Sequence, residues 1–314
     1  MAHVSEFATA GVLASGEQVE LASGRLRLTI VTVGGGLREL TCDGWAVLDG
    51  YGPDEVALGA YGQALIPWPN RLADGVYEFE GNRYQLPLTE PDKHNAIHGF
   101  ARWLQWQVEK REPSRAVLTL LLYPRAGYPF ALHIAIEYTL SSSGVTVRTT
   151  ARNVGRSALP YANGFHPYIS VGTPAVDRCQ LRIAAASWLP IDDQGIPTGR
   201  KHVEGSEYDF RTAREIGATR LDTGYADLIR DEDGMARVEL ESPDRSRMVS
   251  VWMDHSYRYV MAFSGDSLPD AARRRRALGV EPMSAAPNAF QSGEGLRTLR
   301  PGEAWSTTWG ITVK

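Results

Sequence analysis

Thiols are scarce in this chain. Cys42 and Cys179 are the only two among 314 residues, they stand far apart, and nothing around either resembles a metal-ligand pattern. This argues against a disulfide framework and against a thiolate zinc site. Long apolar runs are missing as well. No stretch approaches the ~18 residues that a membrane helix needs. The first 25 residues hold no apolar signal core, because Glu6, Glu17 and Glu20 interrupt them. Positive charge is not in excess either. The formal net charge is -4, so no global field draws the chain to nucleic acid or anionic lipid. Two common catalytic devices are also lacking. Gly34-Gly35-Gly36 has neither the lysine nor the strand-to-helix setting of a phosphate loop and reads as a turn. No serine sits in a G-x-S-x-G elbow. The expectation is a soluble cytoplasmic protein without nucleic-acid or membrane partners.

What the chain has in quantity is short alternating runs broken by turn residues. Leu26 to Val31, Val117 to Tyr123, Leu132 to Leu140, Gly144 to Thr149, Val238 to Leu240, Met248 to Trp252 and Trp305 to Val313 all read as strands. Val76 to Phe79 and Tyr84 to Leu86 flank Gly81-Asn82, which suits a tight hairpin. Helical periodicity is nearly absent, with Thr212 to Gly217 as the best short candidate. Many strands and frequent turns predict an all-β protein, a large antiparallel β-sandwich or barrel. No fixed-period repeat or Gly/Ser or Pro linker divides the chain, so a single domain over 1–314 is expected. Asp266 to Arg276 reads as an exposed loop, and the basic run Arg273 to Arg276 as solvated.

In such a sandwich, alternate side chains from several strands line one face, so residues distant in sequence can converge on a cleft. Four segments carry candidate chemistry. Pro67-Trp68-Pro69-Asn70-Arg71 holds a guanidinium on a rigid segment. Its planar fork suits vicinal hydroxyls, or equally a structural carboxylate. His94-Asn95-Ala96-Ile97-His98-Gly99-Phe100, with Trp103 and Trp106, presents histidine in an aromatic loop. The spacing and the lack of a nearby third ligand argue against metal there. Asn163-Gly164-Phe165-His166-Pro167-Tyr168 confines His166, the residue type suited to exchanging protons near neutrality, to extended backbone. Gly279-Val280-Glu281-Pro282-Met283 sets a carboxylate among apolar neighbours, where its pKa rises and it can serve as a base. A surface carboxylate and a packed histidine are the plain alternatives at these last two positions.

In order and spacing, these segments resemble the aldose 1-epimerase (galactose mutarotase-like) family. The matching features are Asn70-Arg71 with Gly75, the hairpin at Tyr77 to Leu86, His98-Gly99 with Trp106, His166-Pro167-Tyr168, Glu281 with Pro287-Asn288-Ala289-Phe290, and the closing Leu299-Arg300-Pro301-Gly302-Glu303. The resemblance covers about residues 25 to 314. It implies the galactose mutarotase-like supersandwich, few short helices, a small-molecule sugar substrate, and neither a metal nor an organic cofactor. It also implies roles: Glu281 as general base, His166 as general acid, and Arg71, His98 and Asn70 as substrate-binding residues. The family's sugar-binding aspartate falls on Asp222, in Leu221-Asp222-Thr223-Gly224-Tyr225, with Asp227 as competitor. The resemblance leaves monomer or homodimer open. Three positions depart from the family pattern. Pro282-Met283 stand where galactose mutarotases usually carry a glutamine, Thr223 replaces a histidine or similar polar residue, and Ile169 replaces an aromatic. They bear on sugar preference and leave the acid and base in place.

The implied reaction is interconversion of the α and β anomers of an aldohexose. Glu281 starts ionised and takes the C1 hydroxyl proton while protonated His166 supplies one to the ring oxygen O5. Two alternatives share the fold. A hexose-6-phosphate 1-epimerase would use Arg273 to Arg276 as a phosphate pocket. A non-catalytic carbohydrate-binding protein would dispense with Glu281 or His166.

Overall fold

The computed structural model describes residues 11–314. Glu6, named above as interrupting a signal core, lies outside them. Among the described residues the regular secondary structure is nearly all strand, with one four-residue helix at Ala289–Ser292 and three single 3-10 turns. No helix there is long and apolar enough to cross a membrane.

Two large antiparallel sheets dominate. One has nine strands. Its centre runs from Arg115–Leu122 through Leu132–Ser141 and Gly144–Asn153 to the C-terminal strand Ala304–Val313, then Met248–Met253 and Ala236–Glu241. Leu132–Ser141 alternates between buried and half-buried positions until its exposed last residue, as a strand covered on one face does. The other sheet has eight strands and is built around Asp222–Leu228, Tyr259–Phe263 and Leu278–Met283. Its central strand Leu278–Met283 is buried at every position. The sheets meet through side chains such as Phe165 and Trp309, whose rings lie 5.1 Å apart. Across the same seam, Asn163 Nδ2 donates to Thr307 Oγ1 at 2.8 Å.

The strands expected at Leu26 to Val31, Leu132 to Leu140, Met248 to Trp252 and Trp305 to Val313 all form, each within a residue of its expected bounds. Two local expectations fail. The hairpin pairs Phe79 with Asn82, so its two loop residues are Glu80 and Gly81, both at positive φ, and not Gly81-Asn82. Thr212 to Gly217 is not helical. Arg214–Glu215 pairs at the end of the nine-stranded sheet with Gln180 and Leu181. Six residues form too short a helix to offset its nucleation cost, and an available strand edge wins.

The loop Asp266 to Arg276 is mostly exposed, as expected, but its basic run is not simply solvated. Arg273 and Arg275 are half-buried, not solvated. Arg275 pairs with Asp177 at 2.9 Å and Asp266 at 3.1 Å, Arg273 with Glu55 at 3.1 Å and Asp49 at 3.7 Å, and Arg276 with Asp49. The run therefore ties its loop to neighbouring segments. Three of its four charges are paired in doing so; among the described residues the Arg274 side chain donates only to the Leu268 carbonyl.

Candidate active site

Backbone pairing brings together two candidate segments far apart in sequence, those of His166 and Glu281. Gly164 pairs with Met283, and Tyr168 with Gly279. Continued between these points, the same antiparallel register sets His166 opposite Glu281. Pro167 has no N–H, so the ladder is broken there into Gly164–Phe165 and Tyr168–Ile169. The gap is bridged by Val280 N donating to Pro167 O at 2.9 Å. His166 is also held on its other side, where its N donates to Gln63 O at 3.2 Å and its carbonyl accepts from Gly62 N at 2.8 Å. As a result, His166 Nε2 lies 3.2 Å from Glu281 Oε1.

Both side chains lie on the floor of a cleft of about 250 Å³, whose lining includes Asn70, Arg71, Glu90, His98, Arg102, Tyr168, Asp222 and Phe263. The volume suits one small ligand and not a polymer. Depth is graded: the His166 and Glu281 side chains are 6% and 4% exposed, whereas Asp222 is 39% exposed. The histidine–glutamate pair sits at the bottom and the Asp222 carboxylate at the mouth. A larger cavity of about 440 Å³ adjoins the cleft near Tyr51, Val56 and Leu58, but its carboxylates Glu55 and Asp270 face Arg273.

Burial sets the protonation of the pair. Loss of solvent, reinforced by the Asp222 charge and opposed by Arg71, pushes Glu281 up to about 8. Loss of solvent pulls His166 down to about 3. Between those values the pair holds one proton, carried by Glu281. Desolvation favours this neutral pair over the separated charge pair expected from the sequence, with the same number of protons. Glu281 Oε2 and His166 Nδ1 are buried without a hydrogen-bond partner.

His98 and Arg71 are oriented by neighbours along the cleft wall. His98 and Gly99 both adopt positive φ, and a Cβ on Gly99 would stand 2.1 Å from Ile66 O. Only glycine fits beside His98. The N–H of Asn70 donates to His98 Nδ1 at 3.1 Å, so the ring carries its proton on Nε2. Burial, with Arg102, His166 and Arg71 nearby, holds His98 well below the usual histidine range. Asn70, itself at positive φ, accepts the N–H of Arg71 with Oδ1 at 2.9 Å. Arg71 turns its fork to Glu90, donating from Nε and Nη2 at 2.8 and 3.0 Å. Its Nη1 lies 4.0 Å from Asp222. Of the two readings of Arg71, the structural ion pair is present: Glu90 fixes the guanidinium, and Nη1 is left on the Asp222 side. Gly195, at positive φ, leaves room for it, since a Cβ there would lie 2.9 Å from Arg71 Nη1.

The ligand atoms of His98, His166 and Glu281 lie within 4.8 Å of one another. Their chemistry suits protons better than a metal ion. His98 has spent the lone pair of Nδ1 on Asn70 and keeps a proton on Nε2, and the other two share a proton across their contact. Neither arrangement presents a free set of lone pairs.

Several expectations change here. Asp227 lies on another surface, paired with Arg200 at 2.6 Å, so of the two candidate aspartates Asp222 is the one in the cleft. His94 is exposed and meets Asp74 at 2.8 Å. Trp106 is buried in the main core, where its indole N–H donates to Ala101 O. Trp103 is largely exposed. The aromatic lining comes from Tyr168 and Phe263 instead, and Tyr168 stacks on the His166 ring at 4.7 Å and on Tyr61 at 3.9 Å. Glu90 and Arg102 were not anticipated. Glu90 precedes a proline as Glu281 does, which was the one local signal available.

Removing the Arg71 guanidinium should mainly weaken binding. Arg71→Ala is expected to raise KM roughly tenfold or more, the scale of one hydrogen bond to a charged group. Glu90→Gln should do the same more mildly by loosening the guanidinium. Steady-state kinetics on both variants test this, and an unchanged KM in Arg71→Ala would remove it from the binding set.

The family model described as aldose 1-epimerase matches residues 17–312. The chain is 36% identical over 290 residues to the uncharacterized protein YihR of Escherichia coli, covering 92% of this chain and 91% of that one. It is 29% identical over 180 residues to the galactose mutarotase of Rattus norvegicus, covering 55% of this chain and 51% of the relative. Among solved structures, a GalM/aldose epimerase homologue from C. elegans superimposes with a TM-score of 0.85 at 18% identity, over 95% of this chain and 98% of that one. A galactose 1-epimerase from Lactobacillus acidophilus gives 0.80 at 19% identity, over 95% and 94%. The architecture is thus the galactose mutarotase-like fold.

Proposed function

The chain belongs to the aldose 1-epimerase family, and we propose that it interconverts the anomers of a free aldose with Glu281 and His166 as its proton-exchanging pair. The observation that carries this reading is their 3.2 Å contact at the bottom of a cleft for one small ligand. Ring opening requires a proton to leave the C1 hydroxyl and another to reach O5. A pair holding a single proton can do both and keep its inventory.

In the empty cleft the proton rests on Glu281. A C1 hydroxyl donating to the carboxylate favours the ionised form and moves the proton across the contact to His166. Nothing enters or leaves the cleft in that shift, so its net charge is unchanged. Glu281 then takes the C1 hydroxyl proton as His166 gives its own to O5. The C1–O5 bond breaks, an open aldehyde forms, and the pair is neutral again. This is the state that desolvation already favours, so burial lowers the cost of the opened form. Rotation about C1–C2 and closure by the reverse transfers give the other anomer. Proton transfer by positioned groups contributes about 10² to 10⁴-fold, and orientation adds to it. Arg71, Asp222, His98 and Asn70 would hold the ring hydroxyls, with His98 donating from Nε2. A cytoplasmic, single-domain enzyme working as a monomer or homodimer is part of the same proposal.

Mutarotation followed by polarimetry or NMR exchange over a panel of aldoses is the test. Equilibration well above the spontaneous rate with at least one sugar is expected. Binding without acceleration would instead favour a non-catalytic carbohydrate-binding protein. A phosphosugar enzyme using Arg273 to Arg276 is disfavoured, since their carboxylate partners engage them outside this cleft.

A further inference from the structure

Arg102 stands apart from every other charge in the cleft. It lines the cavity beside His98 and His166. Among the described residues it has no carboxylate within 4.0 Å, and its buried Nε has no acceptor. Arg71, the other cleft cation, has a two-point partner in Glu90. Arg102 has only the Trp103 ring, 4.4 Å from its guanidinium carbon. Its backbone is fixed from the other side by Gln63 Nε2, which donates to the Arg102 carbonyl at 2.8 Å. A partly buried guanidinium without an anion carries an uncompensated desolvation cost, and burial alone pulls Arg102 down to about 10. Sugar hydroxyls relieve that cost poorly. An anionic group relieves it well, since a guanidinium fork matches carboxylate or phosphate oxygens at two points.

From this geometry we infer that the substrate is an aldose bearing an anionic substituent on its exocyclic carbon, received by Arg102. The inference rests on the mutarotase reading above. The anion cannot be on C1, whose hydroxyl must be free to react. The position on the ring follows from how the cleft is divided. His98 feels both Arg102 and Arg71, but His166 feels Arg102 and not Arg71, while Glu281 feels Asp222 and Arg71 and not Arg102. His166 is the partner of O5, and the exocyclic carbon is attached to C5, next to O5. A sugar seated for ring opening therefore points that substituent toward the Arg102 side. Asp222 and Arg71 are left to the hydroxyls at the other end.

The probes are glucose, glucuronate and glucose 6-phosphate, compared by NMR exchange at equal ionic strength. A kcat/KM for either acid at least roughly tenfold above that for glucose is expected, as one hydrogen bond to a charged group supplies. Arg102→Gln should collapse that ratio by roughly 10- to 100-fold, and Arg102→Lys should restore part of it. Independently of any variant, added salt should raise KM for the acid in the wild-type protein more than for glucose. Equal or better turnover of glucose than of both acids overturns the inference and leaves the epimerase reading standing. No acceleration with any sugar, neutral or acidic, overturns both.

Discussion

Glu281→Gln is expected to lower kcat for mutarotation by about 10² to 10⁴-fold, the usual share of a positioned proton-transfer group, while sugar affinity changes only a few-fold. The amide has nearly the same shape and can still meet His166 Nε2, which now faces Glu281 Oε1 at 3.2 Å. It cannot exchange a proton. The loss should therefore appear in kcat and not in KM, the mark of an interaction made in the transition state. The variant should also be at least as stable as the wild type at neutral pH. Burial raises the Glu281 carboxyl to about 8 in the folded chain, against about 4.3 when unfolded. The folded state thus binds more protons between those values. Its contribution to stability is complete below the unfolded value and is lost as pH rises through about 8. Glutamine has no such dependence. Thermal melts across this window, with mutarotation at pH 7, check both parts. Near-normal turnover in the variant would remove Glu281 from the chemistry.

Which parts of this were legible in the sequence follows from where the physical causes lie. Strand alternation is local, so Leu132–Ser141 and Ala304–Val313 could be read directly. The turn at Glu80-Gly81 was displaced by one residue because Gly81 can occupy either central position, and register decides between them. Glu281 and His166 stood out because each precedes a proline, yet their meeting depends on a cross-strand register between residues 115 apart in the chain. Nothing local encodes that. Trp106 was misread for the opposite reason: an indole beside a polar loop looks like a ligand platform until its burial in the core is known. Glu90 and Arg102 were invisible because their meaning lies in their partners. Glu90 matters through the fork of Arg71, and Arg102 through having no carboxylate partner among the described residues. The proton on Glu281 could be foreseen as a direction, from its apolar neighbours, but not as a reversal of the pair, which depends on His166 being equally buried.

That reversal leads to the second large effect. His166→Gln should lower kcat by about 10² to 10⁴-fold as well, and the double variant Glu281→Gln/His166→Gln should be no worse than the more damaged single one. Either substitution alone leaves no pair able to hold a proton and pass it on, so there is nothing further to lose. Losses that multiply would show two independent groups and would end the paired mechanism. The wild-type pH profile tests the same unit from another side. Groups in direct contact titrate together, so kcat/KM should stay level while the pair holds one proton. Above about 8 Glu281 ionises and no proton remains for O5. Below about 3 His166 is protonated as well and no base remains for the C1 hydroxyl. A steep fall already between pH 6 and 7 would mean that His166 keeps its solution value, and that burial does not set the state of the pair.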